Sequence, residues 1–264
     1  MMMNEYLKAK IECLWNDESE DISCVHEAMQ KLNSGTLRIA QKIDGKWQVH
    51  DYLKKAILLF FKHTKSQIIT GCHSEYFDKI PMKTNGWTEK NFAEAGFRLV
   101  PGAIVRYSAH VARSAIIMSS FVNVGAFIDE ETLIDTNVLV GSCAQIGKKC
   151  HISDAVTIGG VLEPLQAAPV IIEDNCFIGV KCALAEGILV QEGAVLAAGT
   201  CITSSTRIIH RDTGEVIFGY VPPYSVVVPG SYPVNGINIS CAVIVKQVSE
   251  QTRRKTSLNE LLRL

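Results

Sequence analysis

Neither sign of charge is in excess: 26 basic residues stand against 27 acidic ones, for a formal net charge of −1. A chain so balanced offers no electrostatic reason to bind nucleic acid or an anionic membrane surface. No apolar run approaches the roughly 18 residues of a membrane span, and Met1 to Lys10 contain no apolar signal core, so a cytoplasmic location is expected. No two of the nine cysteines (13, 24, 72, 143, 150, 176, 182, 201, 241) are spaced Cys-x-x-Cys, and their number is odd. Reduced, structural thiols are therefore expected, not a metal or disulfide framework. The first 95 residues also lack a glycine-rich nucleotide-binding stretch.

What the chain does have is a six-residue period. Stepping by six from Ile104 gives His110, Ile116, Val122, Ile128, Ile134, Val140, Ile146, Ile152 and Ile158. Four residues after the first nine of these come Ser108, Ser114, Ser120, Ala126, Thr132, Val138, Ala144, Cys150 and Val156, all small or β-branched. The register returns at Ile172 and runs through Ile178, Leu184, Val190, Leu196, Ile202 and Ile208, with Cys176 and Cys182 again at the small position. A unit this short cannot bury its apolar face alone, so units must stack, three to a triangular coil, at about 4.8 Å per coil. Seventeen hexads give between five and six coils. The period resembles that of hexapeptide-repeat proteins. That resemblance implies left-handed winding, against the usual crossover rule, and a homotrimer.

Taken in order, residues 4–33 read as two amphipathic helices ended by Ser34-Gly35. Thr36 to Ile43 and Lys46 to Val49 flank Asp44-Gly45 as a hairpin, and Asp51 to Lys62 is helical again. Residues 1–100 are thus expected to form an α+β cap, ending in a polar segment with Gly71, Pro81 and Gly86. Residues 101–230 should form the parallel β-helix. Its register is broken by 159–170, too rich in Gly and Pro for a rung and therefore a loop. A hairpin-like turn is expected at Arg211–Gly214 and a last pseudo-coil at Val221–Gly230. Residues 231–264 should supply a strand, Cys241 to Val248, and a short helix capped by Ser257 with Leu258, Leu261 and Leu262 apolar. The fold expected is mainly β.

A β-helix does not by itself specify chemistry. Zinc bound by three histidines is disfavoured because His110, His151 and His210 are widely spaced. A sugar-nucleotide synthesising role would need the absent nucleotide-binding domain. An acyl-CoA transferase and a non-catalytic scaffold remain.

Several runs resemble those of the tetrahydrodipicolinate N-succinyltransferases. They are Lys42-Ile43-Asp44-Gly45-Lys46-Trp47, Tyr76 to Lys83, Val140 to Gly147, Ile158 to Ala167, Ile171 to Gly179, and the ending Asn259-Glu260-Leu261-Leu262-Arg263. The likeness covers nearly the whole chain, cap included. It implies transfer of a succinyl group from succinyl-CoA, a co-substrate and not a bound cofactor, to the amine of a ring-opened dicarboxylate in lysine and diaminopimelate synthesis. No metal is required.

Arg98, in Gly96-Phe97-Arg98, matches the family's substrate-binding arginine; a guanidinium grips a carboxylate bidentately. Asp135 matches the substrate-contacting aspartate and is suited to hold the amine and take its proton. Without the resemblance, Arg98 reads as a surface arginine, and Asp135 shares its slot after the inward aliphatic with Asp129, Glu173 and Gln191. The thioester oxygen needs N–H donors, for which Ser142 and Gly160 are nominated on the acyl-CoA side. Trp15, Trp47 and Trp87 read as cap packing, and Arg253-Arg254-Lys255 as a solvated face.

The chain also departs from the family. Val180-Lys181-Cys182-Ala183-Leu184 stands where the family usually has Ala-Arg-Ser-Glu-Val, so a glutamate is replaced by Ala183. Asn137 stands in place of a tryptophan. Either Asp135 and water suffice, with Glu186 as a substitute, or the chain acylates another lysine-like acceptor, as in tabtoxin-like β-lactam synthesis.

Overall fold

The computed structural model describes residues 2–16, 21–71 and 74–251. Three helices open the cap: α1 (Met2–Asn16), α2 (Ser23–Ser34) and α3 (Asp51–His63). Their apolar stripes, among them Leu7 and Ile11, Val25 and Met29, and Leu53 and Ile57, face one another and are fully buried. Gly35 ends α2 at φ +78°, a left-handed conformation glycine adopts without a Cβ penalty. The hairpin expected after it is shorter than the pattern suggested, pairing Ala40–Ile43 with Lys46–Val49 across Asp44-Gly45. The polar segment carries elements that the period analysis did not foresee. Gln67–Thr70 pairs antiparallel with Glu75–Asp78, and Glu89–Ala95 forms α4, where the Thr88 N–H donates to the Asn91 carboxamide at 2.8 Å.

From Arg98 onward the chain winds into a parallel β-helix with three faces. The first face stacks Ile104–Val105, Phe121–Val122, Leu139–Val140, Thr157–Ile158, Ala183–Leu184 and Cys201–Ile202 in parallel. The second begins at His110–Val111 and ends at Tyr220–Val221. The third begins at Arg98–Leu99 and runs through Ile116–Ile117, Leu133–Ile134, His151–Ile152, Phe177–Ile178 and Val195–Leu196 to Ser225–Val234. The second residue of each two-residue rung points inward, as the burial of Val122, Val140, Ile158, Leu184 and Ile202 shows. The residue before most small corner residues takes a left-handed conformation, as at Glu131, Asn137, Lys149, Ala155, Asn175 and Lys181, all with φ between +54° and +61°. That conformation turns the chain by a third of a coil.

One expectation is corrected at the start of the repeat. Val105, Val111 and Ile117 are the buried inward residues, not Ile104, His110 and Ile116. The step from Ile117 to Val122 is five residues, because the corner Met118-Ser119-Ser120 is one residue short; the Ser120 hydroxyl closes it by donating to the Met118 carbonyl at 2.9 Å. Ala109 and Ala115 accordingly fill the small position, while Ser108 and Ser114 take the left-handed one at φ +75° and +64°. Later cysteines behave as expected: Cys150, Cys176 and Cys182 are buried and donate weakly to the carbonyls of Glu173, Gln191 and Ala197.

Residues 159–170 leave the coil between Thr157–Ile158 and Ile171–Ile172. At the far end Ile208–His210 pairs antiparallel with Val216–Ile217 across the Arg211–Gly214 turn. The last strand is longer than Cys241 to Val248: Ile237–Gln247 folds back antiparallel on Ser225–Val234 through Asn235-Gly236, at φ +48° and +84°. The helix expected at Ser257 to Arg263, the Arg253–Lys255 cluster and Cys72 lie outside the described residues.

The cap seats on the second face. Val124 and Cys143 belong to the cap's own core cluster. Lys42 donates to Glu173 Oε1 at 2.7 Å and the Trp47 indole donates to the same oxygen at 2.8 Å, while the Glu192 N–H donates to Oε2 at 3.1 Å. Arg38 lies over the Phe127 ring at 3.6 Å and donates to Gln145 at 3.2 Å; burial pushes its guanidinium below the usual arginine value. Arg38, Lys42, Trp47, Glu173 and Glu192 line a cavity of about 230 Å³, but each is already partnered, so the cluster reads as the joint between hairpin and coil.

Candidate active site

Stacking sets the geometry of the third face. Its outward residues form a column in which Arg98 pairs with Ile116, Ile116 with Leu133, Leu133 with His151, and His151 with Phe177. The residue after each inward aliphatic opens the corner beside that column, which places Met118 and Asp135 one above the other. Arg98 is exposed, and its Nη2 lies 4.0 Å from the Met118 sulfur. Asp135 sits two rungs above Arg98, about 10 Å along the axis at about 4.8 Å per rung. The structure therefore puts the two residues nominated for the acceptor along one face.

Asp135 is held before any ligand arrives. Its Oδ1 accepts the Thr136 N–H at 2.7 Å and lies 3.4 Å from the Thr136 hydroxyl. Oδ2 is left facing His151, with 3.7 Å to Nε2. Both side chains remain open to solvent, Asp135 at 31% and His151 at 43%. The imidazole stands edge-on to Phe177, with ring centroids 5.2 Å apart. Sequence reasoning considered His151 only as a zinc ligand and missed this pairing; one full coil separates it from Leu133, so the period itself held the signal.

Ser142 and Gly160 lie elsewhere, at the corner between the first and second faces. They are stacked so closely that a Cβ on Gly141 would lie 2.1 Å from the Gly160 nitrogen. The Val161 N–H donates to the Ser142 carbonyl at 3.1 Å, which starts the inserted loop. The width of the first face separates this corner from Asp135, so a single chain does not bring the four nominated residues together.

The two departures are also placed. Asn137 turns the corner after Asp135 at φ +58° and its Nδ2 reaches Asp154 Oδ1 at 3.4 Å. Ala183 is outward on the first face between Thr157 and Cys201, two rungs above Leu139 and on the far side of the Asp135 corner. Within one chain Glu186 does not lie beside Asp135. It occupies the Ser142–Gly160 corner, where its Oε2 accepts the Ser204 hydroxyl at 2.6 Å and the Ser204 N–H at 3.3 Å.

A coiled stack of six-residue units topped by a helical cap defines a hexapeptide-repeat protein. A family model for the N-terminal region of tetrahydrodipicolinate N-succinyltransferase matches residues 6–62, and one for the hexapeptide repeat of succinyl-transferase matches residues 169–204. The chain belongs to the tetrahydrodipicolinate N-succinyltransferase family, and its fold is that family's left-handed parallel β-helix.

Among its relatives, the 2,3,4,5-tetrahydropyridine-2,6-dicarboxylate N-succinyltransferase of Parvibaculum lavamentivorans is 56% identical, covering 90% of this chain and 89% of its own. The enzyme of the same name from Gluconobacter oxydans is 54% identical over 99% of this chain and all of its own, and that of Caulobacter vibrioides 51% over 97% and 99%. A crystal structure from Campylobacter jejuni, described as a 2,3,4,5-tetrahydropyridine-2-carboxylate N-succinyltransferase, shares the fold with a TM-score of 0.55 at 15% identity. That match covers 83% of this chain and 62% of the other.

Proposed function

We propose that this protein is a 2,3,4,5-tetrahydropyridine-2,6-dicarboxylate N-succinyltransferase, moving the succinyl group of succinyl-CoA to the amine of ring-opened tetrahydrodipicolinate in lysine and diaminopimelate synthesis. The observation that carries the reading is the match to enzymes of that name over 99% of the chain at 54% identity. It favours tetrahydrodipicolinate over another lysine-like acceptor and an enzyme over a scaffold.

The geometry supplies roles. Arg98 binds an acceptor carboxylate, since its planar fork is exposed to solvent beside the Met118 sulfur. Asp135 holds the amine through Oδ2, because Oδ1 is already taken by Thr136. The separation of about 10 Å between their rungs suits a dicarboxylate whose amine lies at a distance from one carboxylate. The N–H groups of Ser142 and Gly160 bind the thioester oxygen as negative charge develops on it. A homotrimer reconciles these positions, with the Ser142–Gly160 corner of one copy brought against the Asp135 face of the next. The exposed Leu139, at 40%, lies on the first face between the two corners, where such an interface would cover it. No helix among the described residues is long and apolar enough to cross a membrane, and the location proposed is cytoplasmic.

Thiol release from succinyl-CoA and from acetyl-CoA, each with and without tetrahydrodipicolinate, tests the proposal. Acceptor-dependent release with succinyl-CoA in preference to acetyl-CoA is expected. Release that does not depend on the acceptor, or none from either donor, contradicts it.

A further inference from the structure

We infer that His151 is a catalytic residue of this transferase, taking the proton from the acceptor amine that Asp135 holds. The inference rests on the functional reading above and deepens it.

An ammonium has no lone pair with which to attack a thioester. A carboxylate attracts and orients it, but is a weak base toward an amine that must be stripped of a proton near neutral pH. An imidazole is better matched to that task, because catalytic efficiency is greatest for a group titrating near the working pH. The structure places one where it is needed. His151 Nε2 and Asp135 Oδ2 are 3.7 Å apart, too far for a hydrogen bond between them. A nitrogen can nevertheless sit at hydrogen-bond distance, about 2.8 Å, from both atoms at once.

The surroundings fix the imidazole in that place. Leu133 lies on the rung below and Phe177 stands edge-on above, so neither stacked neighbour is charged. The lysines of the preceding corner are turned to acidic partners, Lys148 to Glu130 at 2.8 Å and Lys149 to Glu131 at 3.8 Å. Among the described residues Asp135 is the one charged group in ion-pairing range of the ring. With Oδ1 engaged by Thr136, the Oδ2–Nε2 gap is the part of the site still open to an amine.

His151 Nε2 first takes one proton from the ammonium and passes it to solvent; the neutral amine's lone pair then forms the C–N bond to the thioester carbon as a second N–H proton passes to His151 Nε2. The C–S bond breaks with its electron pair going to sulfur. The imidazolium then returns the proton to the coenzyme A thiolate, and the amide and free thiol leave with all atoms accounted for. Asp135 keeps its charge throughout and stabilises the transient imidazolium.

His151→Gln tests this, because glutamine keeps the bulk and a hydrogen-bonding end but cannot titrate. The expected kcat is lower by about 100-fold or more, with KM for the acyl donor unchanged and an unchanged melting temperature. Asp135→Asn should differ by raising the acceptor KM as well. If the native protein turns over and His151→Gln keeps kcat within about threefold, His151 is a packing residue and the inference is overturned alone. If the native protein shows no acceptor-dependent thiol release, the functional reading falls and takes this role with it.

Discussion

Lys54, fully buried on α3, donates its ammonium hydrogens to the Leu165 carbonyl at 3.1 Å and to the Ala167 carbonyl. A helix of the cap thereby holds the loop that the repeat expels, and burial pushes the lysine below its ordinary pKa. Lys54→Met would leave two carbonyls without that donor. Charge-assisted hydrogen bonds contribute about 1.5–3 kcal/mol, so chemical denaturation should show a loss of about 2 kcal/mol. Limited proteolysis should cut first within 159–170. A variant as stable and as resistant as the native protein would contradict this role for the lysine.

His110 lies on the second face beneath the cap, stacked on Phe127 at a centroid distance of 4.6 Å. Burial first, and the Lys83 charge second, push its pKa down from 6.5 to about 4. Between those values the unfolded chain binds a proton that the folded chain does not. The contribution is thus fully present above about pH 6.5 and lost as pH falls toward 4. Between about pH 7 and pH 5 the native protein should lose about 2 kcal/mol more stability than His110→Gln. Equal losses in denaturant titrations would show that the imidazole is not refused its proton.

Two glycines on the coil should respond very differently to the same methyl group. At Gly141 a Cβ meets the backbone nitrogen of Gly160 at 2.1 Å, so successive coils would have to separate. At Gly199 nothing lies within 4 Å, and only the φ of +72° resists a side chain. Gly141→Ala should cost about 3 kcal/mol or more by overpacking, and Gly199→Ala about 1 kcal/mol by backbone strain. Comparable melting temperatures for the two would refute the stacking argument.

Ala183 stands where the family resemblance implies a glutamate, two rungs above Leu139 on a different face from Asp135. A carboxylate restored there would not reach the amine that Asp135 of the same chain holds. Because Asp135 and His151 already supply the acid–base work, steady-state kinetics of Ala183→Glu should give kcat within about threefold of native, far short of the 10²–10⁴-fold typical of a missing acid–base group. A gain of tenfold or more would mean that the absent carboxylate limits the reaction.

The coil was legible because a six-residue rhythm of aliphatics has no helical or simple strand reading. Its opening register was not: Ile104-Val105 and Ile116-Ile117 are aliphatic at both positions, so side-chain type could not say which residue faces inward, and the short corner at Met118–Ser120 left no composition signal. The closing hairpin did carry one, Asn235-Gly236, the dipeptide suited to two successive positive φ angles. Of the site, Arg98 and Asp135 were reached through resemblance, since by position Asp135 looks like Asp129 or Glu173. The alignment of rungs sets them apart: Glu173 is closed off by Lys42 and Trp47, whereas Asp135 keeps one oxygen open.

The most direct test is acceptor-dependent thiol release from succinyl-CoA by the native protein, Arg98→Ala and Asp135→Asn, with coenzyme A binding measured in parallel. Turnover by the native protein that is lost in both variants, each still binding coenzyme A as tightly, is the predicted result. Native turnover that survives both substitutions would contradict the account, because the acceptor would then be held somewhere other than the third face.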